Sequence, residues 1–76
     1  MRLLDMDTKM ACSITSIHIS NKELQDFLFS LGIRQGGRIV LTTKLKTCII
    51  VKTSGAKYSI DNKIAKQIFV LPLRDG

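Results

Sequence analysis

The sequence predicts a mainly β domain, a small closed barrel of about five strands with one inserted α-helix and a short helical turn before the last strand. Two observations carry this. Short β-branched runs are separated by tight polar or glycine-containing breaks, and one segment alone repeats at helical spacing. Seventy-six residues leave room for one domain, 1–76, and 45% apolar content is that of a folded chain. Short strands with tight connections at this length favour closure over an open sheet.

The first strand is read from Cys12, Ile14, Ile17 and Ile19 among Ser13, Thr15, Ser16 and His18. Its apolar phase slips near Ile17, which predicts a bulge. A helix follows. Ser20 and Glu23 have the spacing of a capping box, and Ile19 with Leu24 that of a hydrophobic staple. Leu24, Phe27, Leu28 and Leu31 recur at i, i+3, i+4 and i+7 and form its apolar face. Gly32 stands where a left-handed cap is wanted.

Gly36-Gly37 is a turn. Arg38 to Thr43 alternates as a second strand, with Ile39 and Leu41 on one face and Arg38, Val40 and Thr42 on the other. Lys44 to Thr47 breaks the pattern, and Cys48 to Thr53 is a third strand. Ser54-Gly55 turns the chain into a short fourth strand, Lys57 to Ile60. Asp61 or Asn62 caps one helical turn through Ala65. Ile68 to Leu71 is the last strand, ended by Pro72. The predicted core is Ile14, Leu28, Leu31, Ile39, Leu41, Ile49, Val51, Ile60, Ile68 and Val70.

The joints of this order resemble the FeoA family, ferrous iron transport protein A, over Leu3 to Val70. Leu3, Met6, Cys12, Ile14 and Ile17 fall in the family's opening pattern. Leu28-Phe29-Ser30-Leu31-Gly32-Ile33-Arg34-Gln35-Gly36 is similar to its L-x-x-L-G-[LIM]-x-x-G segment. Gly55, Tyr58, Ile60, Lys63, Ala65, Ile68 and Val70 follow at its spacing. The resemblance implies an SH3-like barrel with an inserted helix. It also implies a non-enzymatic accessory role beside the membrane transporter FeoB, whose cytosolic part contains a GTPase domain. The chain departs from the family in the short loop Lys44-Leu45-Lys46-Thr47, at Thr8-Lys9, and at Phe27, where a basic residue is common.

The charges are segregated. Net charge is +6, and no acid stands between Phe27 and Ile60, a stretch that holds Arg34, Arg38, Lys44, Lys46, Lys52 and Lys57. A positive surface there suits solubility, an acidic protein, an anionic leaflet or RNA. RNA binding by a small basic barrel is the alternative function. Against it, single-strand binding wants stacking aromatics, and only Tyr58 adjoins the basic stretch. DNA is not expected, because no helix-turn-helix is present to make this the detached relative of an iron-dependent repressor's SH3-like domain.

Catalysis has little to work with. His18 is the only histidine, expected at a solvated edge, and no G-x-x-x-x-G-K-[ST] loop exists. Cys12, His18, Cys48, Asp5 and Asp7 are the candidate iron ligands, but they show no C-x-x-C or H-x-x-x-H spacing, so neither metal nor cofactor is expected. Cys12 and Cys48 read as buried, reduced thiols. The expected partner surface is Phe29, Arg34, Arg38, Val40, Lys44, Ile50, Lys52 and Phe69. Phe29 lies roughly 140° around the helix from Leu24, either exposed or covered by the N-terminal segment. Val40, Ile50, Phe69 and Leu71 oppose the barrel interior, either under the helix or as an apolar patch with a basic rim. With no apolar leader and no run near 20 apolar residues, a cytoplasmic protein is expected, reaching the membrane only through the transporter.

Overall fold

The computed structural model describes residues 1–73; positions 74–76 of the expected single domain lie outside the described residues. A 3-10 turn (Leu3–Asp5) opens the chain. β1 (Met10–Ile17), α1 (Lys22–Ser30), β2 (Arg38–Lys44), β3 (Cys48–Thr53), β4 (Ala56–Asp61), α2 (Asn62–Ala65) and β5 (Ile68–Pro72) follow. The five strands form one antiparallel sheet in the order β4-β3-β2-β1-β5. Among the described residues no helix is long and apolar enough to cross a membrane.

The sheet is not closed by hydrogen bonds, because β4 and β5 do not pair. Helical turns stand between them instead. α2 packs on β3, β4 and the N-terminal 3-10 turn, and that turn packs on β5. The outer edge of β5 is also covered, since the Val70 N–H donates to the Met1 carbonyl at 2.7 Å and Arg2 bridges to Phe69. An edge strand that would invite pairing with another chain is thereby blunted.

Alternation along the strands sends one face inward. Ile14, Ile39, Leu41, Ile49, Val51, Ile60, Ile68 and Val70 are all buried, as the period-two pattern requires, and Leu28 of α1 joins them in the core. Leu31 is half-buried. Leu3, Met6, Cys12, Ile19, Ile33 and Ala65 complete the core. Of the two thiols, Cys12 is buried and its pKa is pushed up to about 11 by loss of solvation, while Cys48, the first residue of β3, is half-buried rather than buried.

Two bulges bend the sheet. One falls between Ile14 and Ser16 of β1, two residues before Ile17; the other, between Leu41 and Thr43 of β2, leaves no mark in the apolar alternation. Ser54 (φ 47°) and Gly55 (φ 86°) form the tight two-residue turn whose left-handed pair matches the twist of β3 and β4.

The start of α1 differs from expectation. Asn21, not Ser20, is the N-cap: its Oδ1 accepts the Leu24 N–H at 3.0 Å. Both residues are good caps, and the shift of one position takes Glu23 out of the reciprocal box. The Ile19 carbonyl instead accepts the Gln25 side-chain amide. Asn21→Ala is therefore expected to cost about 1 kcal/mol, with Ser20→Ala near neutral. Urea denaturation of the two variants checks this, and the reverse order would restore the Ser20 box.

Phe27 is also placed differently. It is exposed, as is Phe29. The buried stripe of α1 is narrow, with Leu28 at its centre and Leu24 and Leu31 half-buried beside it. Phe27 and Phe29 lie about 100° to either side of Leu28 and so flank the stripe. The helix ends as Gly32 predicts. Gly32 takes φ 89°, its N–H reaches the Phe29 carbonyl at 3.0 Å, and the Ile33 N–H reaches that of Leu28 at 2.9 Å. Buried Ile33 against Leu28 is the apolar contact that accompanies this cap. The Thr53 hydroxyl donates to the Leu31 carbonyl at 2.7 Å and ties the helix end to the β3–β4 hairpin.

Candidate functional site

Two hollows open beside the Gly32–Arg38 segment, and Arg34 lines both. The first, about 250 Å³, lies between α1 and the end of β1, lined by Ile17, Gln25, Phe29, Ile33, Arg34 and Gln35. The Arg34 guanidinium carbon sits 5.0 Å from the centroid of the Phe29 ring, a cation–π contact that holds both side chains in place. Phe29 is therefore not covered by the N-terminal segment, which is occupied along β5.

The second hollow, about 420 Å³, is basic. Arg34, Arg38 and Lys52 line it with Val40, Ser54 and three glycines, and no carboxylate does. Register explains the assembly. Val40 pairs with Lys52, so both lie on the outer face of the sheet, and Arg38 shares that face two residues away. The Ser54-Gly55 turn comes up beside Gly32, where a Cβ would lie 3.7 Å from the Ser54 hydroxyl oxygen.

Of the eight residues expected to form a partner surface, Arg34, Arg38, Val40 and Lys52 line this one hollow, and Phe29 joins through Arg34. Ile50 is half-buried two residues along the same face of β3, opposite Thr43. Lys44 is exposed at the far end of β2. Phe69 stands apart on β5, half-buried, with the His18 ring edge-on at 4.9 Å. His18 itself is exposed and 3.0 Å from the Ser16 hydroxyl. Val40 and Ile50 stand on neighbouring β2 and β3, whereas Phe69 and Leu71 stand on β5 with β1 between. Gln25, Ile33, Gln35, Ser54 and the glycines were not anticipated as lining residues. Ser54 and the glycines read as turn and cap punctuation, and only folding brings 32–40 beside 52–55.

The loop at Lys44–Thr47 is anchored from below. Asn62 donates its backbone N–H to the Thr47 carbonyl at 3.0 Å and its side-chain amide to the Lys46 carbonyl at 3.2 Å. Among the described residues no group of three or more His, Cys, Asp or Glu side chains comes together as a metal site would.

The family model of the FeoA domain matches residues 1–72. The chain belongs to the FeoA domain family. FeoA domains are small accessory modules of ferrous iron transport. Solved structures resemble this FeoA chain over its whole length. A FeoA protein from Chlorobium tepidum superposes with a TM-score of 0.87 at 21% identity, covering 97% of this chain and 71% of that one. The crystal structure of an iron uptake regulatory protein (FeoA) gives 0.84 at 20%, covering 96% and 97%. A manganese-dependent transcriptional repressor gives 0.85 at 20%, and there this chain spans only 36% of the other. The shared architecture is the SH3-like FeoA fold with its inserted helix. A search of the curated proteins found no match.

Proposed function

We propose that this FeoA chain is a non-enzymatic docking module that binds the cytosolic region of a FeoB-type ferrous iron transporter. It works in the cytoplasm and meets the membrane only through that partner. Iron is the transporter's cargo, and the reading assigns no iron to this chain.

The observation that carries the reading is the position of Arg34. It joins an exposed aromatic, Phe29, to the basic hollow of Arg38 and Lys52. An aromatic anchor stacked with an arginine and rimmed by cations is the composition that dominates protein interfaces. It also suits a partner surface rich in acid. Net charge alone would equally suit RNA, but no aromatic lines the basic hollow on which a base would stack.

Amide NMR of the labelled chain, titrated with the purified cytosolic domain of the cognate transporter, tests it. Shifts are expected at Phe29, Arg34, Arg38, Val40 and Lys52. Phe29→Ala with Arg34→Ala weakens binding at least about tenfold, with little change in melting temperature because both side chains are exposed. No response to the domain, with a salt-steep response to short RNA at the same residues, moves the function to nucleic acid.

A further inference from the structure

We infer that the hollow between the Gly32–Arg38 segment and the β3–β4 turn is a binding site for a phosphate group. This goes beyond the docking reading and holds whichever protein the module meets.

Three cations line the hollow, Arg34, Arg38 and Lys52, together with Ser54. Neither of the two on strands has an acid as a cross-strand neighbour. Arg38 faces Ser13, and Lys52 faces Val40 on one side and Lys57 on the other. Like charges set directly opposite on a sheet destabilise it. The Lys52–Lys57 pair therefore leaves Lys52 beside a like charge and without an acid to neutralise it across the sheet. The nearest acids in sequence to this basic stretch are Asp26 and Asp61, and neither lines the hollow.

The shape and chemistry point to phosphate rather than to a carboxylate. Two of the three cations are arginines, whose planar fork of donors matches phosphate oxygens. Three positive charges suit a dianion better than a monoanion. Arg34 is held against Phe29 at 5.0 Å, so part of the cost of ordering one arm is met before the ligand arrives. The hollow is open to solvent and wider than a phosphate group, at about 420 Å³, so a phosphate bound there can carry an organic body. Val40 supplies an apolar wall for that body. Gly55 leaves the rim open, since a Cβ built there meets no atom within 4 Å.

Inorganic phosphate is the first probe, titrated into the labelled chain at constant ionic strength with chloride and acetate as comparison anions. Saturable shifts are expected at Gly32, Arg38, Lys52, Ser54 and Gly55, with only a small change at the Phe29 ring, against which Arg34 stays stacked. Glycerol phosphate binds at the same residues and more tightly. Arg38→Gln and Lys52→Gln each weaken phosphate binding about tenfold, and both variants fold because the side chains are exposed. Phosphate raises the melting temperature of the parent chain and not of the double variant. Equal responses to phosphate, acetate and chloride overturn the site. So do shifts that survive in the double variant. Sedimentation with phosphatidic acid vesicles but no response to free phosphate overturns it too, in favour of a flat basic face attracted to a membrane.

Discussion

Leu3→Ala is expected to cost about 3–4 kcal/mol, a large-to-small change in a filled core. A chain of this length holds roughly 4–11 kcal/mol in total, so the variant should be partly unfolded at physiological temperature. Chain termini ordinarily fray, and a leucine at position 3 would ordinarily matter little. Here Leu3 is 0% exposed. It sits on the 3-10 turn that, with α2, stands between β4 and β5 where no ladder joins them. Removing it opens a cavity at the one seam of the barrel that hydrogen bonds do not close. The backbone cannot simply collapse onto the gap, because the segment is pinned to β5 by the Met1–Val70 bond and to β2 by the bond from the Lys9 N–H to the Leu41 carbonyl. Urea denaturation followed by circular dichroism reads the effect as a lower midpoint at unchanged slope. A loss below about 1 kcal/mol would show that the N-terminal turn only lies on the surface.

Gly37→Ala is expected to cost about 3 kcal/mol, more than Gly36→Ala. A Cβ on Gly37 would lie 2.6 Å from the Gly32 carbonyl oxygen and 2.9 Å from that of Arg34. Both are backbone atoms, so nothing can swing aside. The Gly32 oxygen belongs to the helix cap and the Arg34 oxygen accepts the Gly37 N–H at 2.8 Å, so relief would undo the turn itself. Gly36 is different. It takes φ 83°, but a Cβ there meets no atom within 4 Å. Its substitution pays only the left-handed penalty of about 1–2 kcal/mol, and Gly36→Asn should recover part of it, since asparagine tolerates that region. The family-like L-x-x-L-G-I-x-x-G segment ends on Gly36, so the pattern alone would rank the two the other way. Paired denaturation curves decide the order. The Gly37 variant should also lose the basic hollow, because the same turn sets Arg34 and Arg38 on its rim.

Much of the architecture is legible in the residues themselves. Alternation of Ile39 and Leu41, Ile49 and Val51, and Ile68 and Val70 places the strands and their buried faces, because side-chain period in a strand is a local property. Gly32 ends α1 and Ser54-Gly55 turns β3 into β4 because the left-handed conformation is a demand on single residues. Asp61 caps α2, its side chain accepting the Lys63 N–H at 2.8 Å, for the same local reason. The start of α1 was less determinate, since Ser20 and Asn21 are both competent caps and local chemistry does not choose between them.

What only the tertiary structure decided depends on residues far apart in the chain. Phe27 and Phe29 are equivalent in type and both flank Leu28; which of them gains a partner is settled by Arg34 arriving after the turn at Gly32. Cys48 is half-buried as the first residue of β3, a fact of position rather than of composition. The acid-free stretch from Phe27 to Ile60 determined that the middle of this chain is positive. That Arg34, Arg38 and Lys52 share one hollow, while Lys44 and Phe69 stand outside it, was decided by the β2–β3 register and by the close approach of the turns at 32–37 and 54–55. Local periodicity says which face a side chain takes; only the pairing of strands says which other side chains it meets there.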